Sequence, residues 1–134
     1  MVRFIVCEDN KEFMTRLQTS INKVMMPYNF EYKINRFSEY NKDLVTLINK
    51  KYELKIYILD IELGEVSGLE IASEIREKDQ ESPIVFVTQH NECRNDIFYS
   101  RLIAYDYIPK DRFWKDRFES TINLIIKATW AVQI

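Results

Sequence analysis

Residues 55–78 of the chain read KIYILDIELGEVSGLEIASEIREK and contain a strand, a loop and a helix in succession. KIYILD is a largely apolar run of strand length that ends in Asp60. The loop that follows holds Gly64 and Gly68, which are both glycines of the whole chain. GLEIASEIREK then places its apolar residues at helical spacing. A buried strand joined by a short loop to an amphipathic helix predicts a βα unit.

The same alternation recurs along the rest of the sequence. Four further strand-length runs are VRFIVC (2–7), FEYKINRF (30–37), PIVFVT (83–88) and LIAYDYI (102–108). Amphipathic stretches follow them, the weakest being the polar segment NECRNDIFYS and the last spanning about 111–128. Five βα units with short connections predict an α/β fold, in which a doubly wound, five-stranded parallel sheet lies between helices.

Composition is that of a single soluble domain. The chain has 134 residues, of which 46% are hydrophobic and 30% charged, enough to form a core without disulfides. A net charge of −2 with dispersed basic residues argues against direct nucleic-acid binding. The two cysteines form no metal-binding pattern, and the amino terminus has no signal or membrane segment, so we expect a cytoplasmic protein. We assign 1–128 to one domain and 129–134 to a tail or the start of a linker.

Polar residues stand where four of the predicted strands end. Glu8 and Asp9 follow strand 1, Asp60 ends strand 3, Thr88 ends strand 4 and Lys110 follows strand 5. Each of them alone is as well explained as a helix cap or a solvated charge. Because ligands of parallel sheets bind at the carboxyl ends of the strands, the five together predict a functional site.

This combination of side chains suits phosphoryl transfer. Three neighbouring carboxylates repel one another unless a cation joins them, and hard oxygen ligands favour Mg²⁺. A carboxylate beside Mg²⁺ can attack a phosphoryl group and form an acyl phosphate, while the metal neutralises the phosphoryl oxygens. An ammonium group and a hydroxyl can then contact those oxygens. We therefore predict that Asp60 accepts the phosphoryl group.

The strings VCEDN, YILDIELGEVSGLEIASEIRE, IVFVTQH and AYDYIPKD resemble the receiver domains of bacterial response regulators. The resemblance covers about residues 2–127 and implies a CheY-like, flavodoxin-like fold with strand order 2-1-3-4-5. Within that family, IVFVTQH and AYDYIPKD are most similar to regulators that carry a LytTR-type DNA-binding domain. The quorum-sensing regulators of Gram-positive bacteria belong to that subgroup.

The resemblance also implies a metal site. Asp60 would be the phosphoacceptor and a Mg²⁺ ligand, and Asp9 would bind the metal directly. Glu8 would bind it directly or through water. Glu62, two residues after the acceptor, would offer its backbone carbonyl.

Further roles follow from the same resemblance. Thr88 would hydrogen-bond the phosphoryl group, Lys110 would pair with it, and Tyr107 would change rotamer together with Thr88. Tyr107 is otherwise explained as core packing. We also hypothesise that Glu62 and His90 flank the acyl phosphate and set how fast water reaches it, the alternative for His90 being a polar residue at the start of a helix.

Three kinds of function are compatible with the fold. The first is a switch that a sensor histidine kinase phosphorylates and that acts through the surface of the fourth helix, fifth strand and final helix. Its output would be a homodimer, a protein contact made by a stand-alone receiver, or DNA binding by a domain outside these residues; no membrane partner is expected. The second is a phosphohydrolase, since Asp60-Ile61-Glu62 resembles a D-x-D pair, but a compact chain without a cap domain leaves no substrate pocket, so we expect a phosphoacceptor switch and not an enzyme. The third is a flavin-binding protein. The acidic Glu8-Asp9-Asn10 loop disfavours a flavin phosphate.

Overall fold

The computed structural model describes residues 1–51, 53–89 and 101–129. Its strands are β1 (Val2–Cys7), β2 (Tyr32–Phe37), β3 (Leu54–Leu59), β4 (Ile84–Thr88) and β5 (Asp106–Pro109). The helices among these residues are α1 (Lys11–Met25), α2 (Lys42–Asn49), α3 (Gly68–Lys78) and the C-terminal helix (Trp114–Thr129). The helix predicted over NECRNDIFYS lies outside the described residues, as does His90.

The strands form one parallel sheet in the order β2-β1-β3-β4-β5, which confirms the predicted fold class and strand order. Cys7, the last residue of β1, is level with Phe37 of β2 and Leu59 of β3. At the other side of the sheet, Thr88 of β4 is level with Pro109 of β5. The carboxyl ends of the strands therefore lie along one edge.

Helices cover both faces of the sheet, and the alternation of side chains along each strand sorts the core into two layers. On β1, Phe4 and Val6 pack in the layer formed with α1 and the C-terminal helix. Ile5 and Cys7 pack in the opposite layer, beneath α2 and α3. Among the described residues, no helix has the length and apolarity needed to cross a bilayer.

Side-chain caps fix where the helices begin. Asn10 accepts a hydrogen bond from Phe13 N at 2.8 Å and starts α1, while Ser67 accepts one from Leu69 N at 3.1 Å and starts α3. By residue type Ser38 is a suitable cap for the helix that contains Leu44 and Ile48, but a prediction that it caps α2 is wrong. The helix begins at Lys42, three residues later than that cap allows, because Asn41 caps it.

The predicted fifth strand, 102–108, begins too early. β5 starts at Asp106, and Ile103 before it has φ 51°, a left-handed conformation that β-strands do not adopt. The guanidinium of Arg76, only 9% exposed, donates to the carbonyls of both Leu102 and Ile103. These carbonyls therefore bond to a side chain of α3 rather than to the neighbouring strand.

Candidate functional site

The predicted strand-end residues meet at the carboxyl edge of the sheet. Glu8, Asp9 and Asp60 each offer a carboxylate oxygen, and these oxygens lie within 4.8 Å of one another. Lys110 Nζ lies 2.7 Å from Glu8 Oε1 and 2.9 Å from Asp60 Oδ2. Glu8 and Asp60 are buried whereas Asp9 is exposed, so the cluster opens to solvent on the Asp9 side.

Backbone bonds that continue the sheet hold these residues in place. Glu8 N donates to Phe37 O at 2.9 Å, and Asp60 N donates to Cys7 O at 3.0 Å. Lys110 N donates to Thr88 O at 2.9 Å. Glu8, Asp60 and Lys110 therefore each lie one residue beyond a strand, on hydrogen-bonded backbone rather than on a free loop.

Burial and charge act against each other in the cluster. Burial raises the pKa of Glu8, and although the ammonium of Lys110 and the Asn10 N–H lower it in part, the net shift is upward. Burial alone would lower the pKa of Lys110, but its bonds to Glu8 and Asp60 outweigh burial and raise it. The lysine is therefore firmly cationic. One ammonium facing three carboxylates leaves an excess of negative charge that a divalent cation would neutralise.

The donor set fits Mg²⁺, which is bound through a few carboxylates and keeps several waters. Two of the three carboxylates are buried and oriented, and the exposed third leaves room for water on the ion. Glu62 lies in the loop directly after β3, where its N–H donates to Asp60 Oδ1 at 3.3 Å. This bond links the start of the loop to the Asp60 side chain, and the use of the Glu62 carbonyl by a metal stays a prediction.

The two glycines shape that loop in different ways. Gly64 has φ +74°, a left-handed conformation that side chains rarely adopt. Gly68 instead begins α3 in close contact with the end of β3, because a Cβ there would lie 2.0 Å from Asp60 O. Gly68 N also donates to Ile61 O at 2.8 Å. The start of α3 is thereby fixed against the backbone of Asp60.

Thr88 and Tyr107 lie on neighbouring strands and are both fully buried. Tyr107 is level with Phe86 and packs in the layer beneath α2 and α3. Its packing accounts for the residue without any switching role, so that role stays a prediction. The proposed tuning role of His90 falls outside the described residues.

A pocket of about 160 Å³ opens beside Lys110, lined by Asn10, Glu12, Phe13, Arg16, Gln89 and Lys110. Within it, Lys110 Nζ lies 4.4 Å from the centre of the Phe13 ring. Phe13 stands among the apolar residues that recur at helical spacing in α1, which predicts a core position, and no sequence signal pairs it with a lysine ninety-seven positions away. A larger cleft, about 840 Å³, lies at the opposite edge of the sheet and contains none of these residues.

Residues 4–123 match the response regulator receiver domain family. The chain belongs to this family. The resemblance that the strand-end motifs predicted is thereby confirmed, and the acidic cluster lies where receivers bind Mg²⁺.

Relatives of this receiver include accessory gene regulator A proteins of staphylococci. It is 27% identical over 111 residues to accessory gene regulator protein A of Staphylococcus aureus strain N315. It is 31% identical over 114 residues to the protein of the same name from Staphylococcus epidermidis. Each match covers 82% of this chain and 47% of the relative, so the receiver spans about half the length of these curated relatives.

Solved receivers share its fold. The response regulator TrrA of Thermotoga maritima, in complex with Mg²⁺-BeF, is 27% identical with a TM-score of 0.70, covering 92% of this chain and 99% of that one. The response regulatory domain of mrkE from Klebsiella pneumoniae has a TM-score of 0.75 at 23% identity, covering 94% and 96% respectively. The second likeness bears on the fold alone.

Proposed function

We propose that this receiver accepts a phosphoryl group on Asp60 from a phosphohistidine of a sensor kinase and switches an output in response. One observation carries the proposal. The carboxylate of Asp60 is buried at the end of β3, ion-paired to Lys110, and within 4.8 Å of the carboxylates of Glu8 and Asp9. This arrangement is not explained by a helix cap or a solvated charge, because neither requires a buried carboxylate beside two others.

The reaction needs little from the protein beyond position and charge. An oxygen of Asp60 attacks the phosphorus of the donor, a P–O bond forms, and the P–N bond to the imidazole breaks. The departing imidazole nitrogen takes up a proton. Lys110, already 2.9 Å from Asp60 Oδ2, is close enough to pair with the transferred phosphoryl oxygens. The buried hydroxyl of Thr88, at the end of the adjacent strand, would donate a hydrogen bond to them.

The carboxylates of Glu8, Asp9 and Asp60, with the backbone carbonyl of Glu62, would hold Mg²⁺. When bound, the ion neutralises the oxygens of the phosphoryl group during transfer. The similar receiver TrrA, solved with Mg²⁺-BeF, supports this assignment. Glu62 and His90 remain candidates for setting how quickly water reaches the product.

Phosphorylation would act as a switch rather than as a turnover reaction. It changes the charge at the carboxyl edge, and Thr88 and Tyr107 would respond by shifting toward the new group. The surface involved would comprise the predicted fourth helix, β5 and the C-terminal helix, and it would support a homodimer. The protein would act in the cytoplasm.

The output would lie outside these residues. The receiver covers 47% of the accessory gene regulator A proteins it resembles. We infer a receiver at residues 1–128 that continues, through 129–134, toward a LytTR-type DNA-binding domain that controls transcription. Contact with DNA would come only through that domain.

Intact-protein mass spectrometry after incubation with acetyl phosphate and Mg²⁺ tests the central step. The wild type should gain the mass of one phosphoryl group, and Asp60→Asn should gain none. Asp43→Asn, which removes an exposed carboxylate on α2, is the matched control and should behave as the wild type. Chelation of Mg²⁺ should suppress the gain. An unmodified wild type, or equal modification of Asp60→Asn, would refute the proposal.

A further inference from the structure

Lys110 has a third neighbour besides the two carboxylates. Its ammonium nitrogen lies 4.4 Å from the centre of the Phe13 ring, well within the range of a cation–π contact. The lysine side chain is 11% exposed, so the ring and the two carboxylates together shield most of it from water. A cation–π contact gains strength where the cation is desolvated in this way.

Phe13 is itself held on two sides. Its backbone N–H donates to the Asn10 side chain at 2.8 Å, which fixes the first turn of α1 directly after the acidic end of β1. Its ring packs on Trp114 of the C-terminal helix, with centroids 4.6 Å apart, and Trp114 in turn packs on Phe118 at 6.0 Å. The ring is therefore a rigid surface for the lysine rather than a mobile side chain that happens to lie nearby.

The three partners of Lys110 differ in what phosphorylation does to them. The carboxylate of Asp60 would lose its negative charge once one of its oxygens is bonded to phosphorus, and the phosphoryl oxygens would bring new negative charge beside the lysine. Glu8 is a predicted metal ligand, so its charge is shared with the ion when the ion binds. The ring of Phe13 takes part in neither event, and its attraction for the ammonium is the same before and after transfer.

We propose that Phe13 is a positioning residue for Lys110, holding the ammonium over Asp60 while both ionic partners change during the phosphorylation cycle. The proposal rests on the proposed function, since it concerns the lysine that pairs with the phosphoryl group. The contact between Lys110 and the Phe13 ring is present without the metal. The residue acts through Lys110 and does not itself touch the acceptor.

Three substitutions separate this role from simple packing. Phe13→Leu and Phe13→Met keep an apolar side chain but remove the ring, while Phe13→Tyr keeps the ring. Phe30→Leu is the matched control, because Phe30 is also half-buried and stacked on another ring, that of Tyr28, yet it precedes β2 at the far edge of the sheet.

The first measurement is made on the unphosphorylated protein. Protons on the Cε of Lys110 should show an upfield ring-current shift by NMR in the wild type, Phe13→Tyr and Phe30→Leu. That shift should vanish in Phe13→Leu and Phe13→Met. A Lys110 signal that does not change when the ring is removed would overturn the proposed contact, whatever the protein does with a phosphodonor.

The second measurement is the rate of Asp60 phosphorylation at increasing acetyl phosphate. Phe13→Leu and Phe13→Met should lower the maximal rate on the order of fivefold, the effect of one partly buried cation–π contact, with the half-saturating concentration unchanged. Phe13→Tyr and Phe30→Leu should react at the wild-type rate. If the wild type reacts and Phe13→Leu is equally fast, the inference about Phe13 fails and the proposed function stands. If no protein is phosphorylated, the wild type included, both fail.

Discussion

Replacing Gly68 by alanine should destabilise the fold and displace Asp60 at the same time. The added Cβ would lie 2.0 Å from Asp60 O, 2.8 Å from Asp60 C and 3.0 Å from Ile61 Cα. All three neighbours are backbone atoms of the segment that carries the Asp60 side chain. No side chain can rotate away to relieve the overlap, so the start of α3 and the end of β3 must move apart.

The size of the effect follows from that geometry. Ordinary van der Waals contact begins at 3.4 Å, so relieving a 2.0 Å contact requires a relative movement of roughly 1 Å or more. Overpacking of this kind typically costs about 1–3 kcal/mol. For a domain of this size we expect a fall in Tm of about 5–10 °C. Because a misplacement of about 1 Å in a reacting group can cost a factor of about 100, phosphorylation should slow by a comparable factor.

Urea denaturation and the acetyl phosphate assay, run on the same preparations, measure the two effects. Gly64→Ala is the matched control, since the loop glycine has φ +74° but nothing within 4 Å of its added Cβ. It should cost about 1 kcal/mol through backbone conformation alone and leave the phosphorylation rate within about twofold. A Gly68→Ala protein that equals the wild type in both measurements would refute the reasoning, and one that loses stability without losing rate would show that α3 moves and Asp60 does not.

Three further outcomes follow from contacts elsewhere in the chain. Lys110→Met leaves two buried carboxylates without their cation, so it should cost about 3 kcal/mol at pH 7. Part of this loss should be recovered as the pH falls, because burial already raises the pKa of Glu8, removal of the ammonium raises it further, and protonation of Glu8 removes one of the two charges. Equal urea midpoints for mutant and wild type at pH 7 would contradict this. The hydrogen bond from Arg3 holds the pKa of Glu53 below its usual range, so its contribution is present above the ordinary glutamate pKa and is lost as pH falls through the lowered value. Glu53→Gln should therefore lose less stability than the wild type as the pH falls below the ordinary glutamate pKa. Glu12→Gln, which removes an exposed ion pair, is the control, and parallel stability profiles of Glu53→Gln and wild type would argue against the Arg3 bond. Arg76→Lys should lower the free energy of unfolding by about 2–3 kcal/mol, because one ammonium cannot reach all the carbonyls to which the guanidinium donates. A fall in Tm of less than about 2 °C would count against this.

The alternation of apolar strand-length runs with amphipathic stretches was enough to predict the sheet and the acidic residues at its carboxyl edge. β1 and β3 are apolar runs whose ends are marked by a change to acidic residues, so Glu8 and Asp60 could be located from the pattern alone. Parallel pairing then required those ends to meet. The cluster of carboxylates around Lys110 follows from the order of the parallel strands, and that order could be predicted from the sequence.

Contacts that depend on where a single side chain points could not be predicted from the sequence. Arg76 stands at the polar end of an amphipathic helix, where an arginine ordinarily faces solvent, yet it is buried against backbone carbonyls. The error at the start of β5 has the same origin, since those carbonyls would otherwise extend the strand. Phe13 was visible as a core residue, but its place above Lys110 depends on how α1 and the C-terminal helix pack.

The hydrogen-bond partners of Arg76 bear on how stable the fold would remain when Asp60 is phosphorylated. The guanidinium bonds the carbonyls of Leu102, Asp79, Ser82 and Ile103, all of them uncharged main-chain groups at the amino edge of the sheet. Acid does not protonate these carbonyls and a phosphodonor does not modify them. The ionic partners of Lys110 are carboxylates, a type of group on which both can act. Phosphorylation would thus change the charge at the carboxyl edge while the Arg76 bonds at the amino edge stay the same, so the switch would not loosen the backbone that these bonds hold.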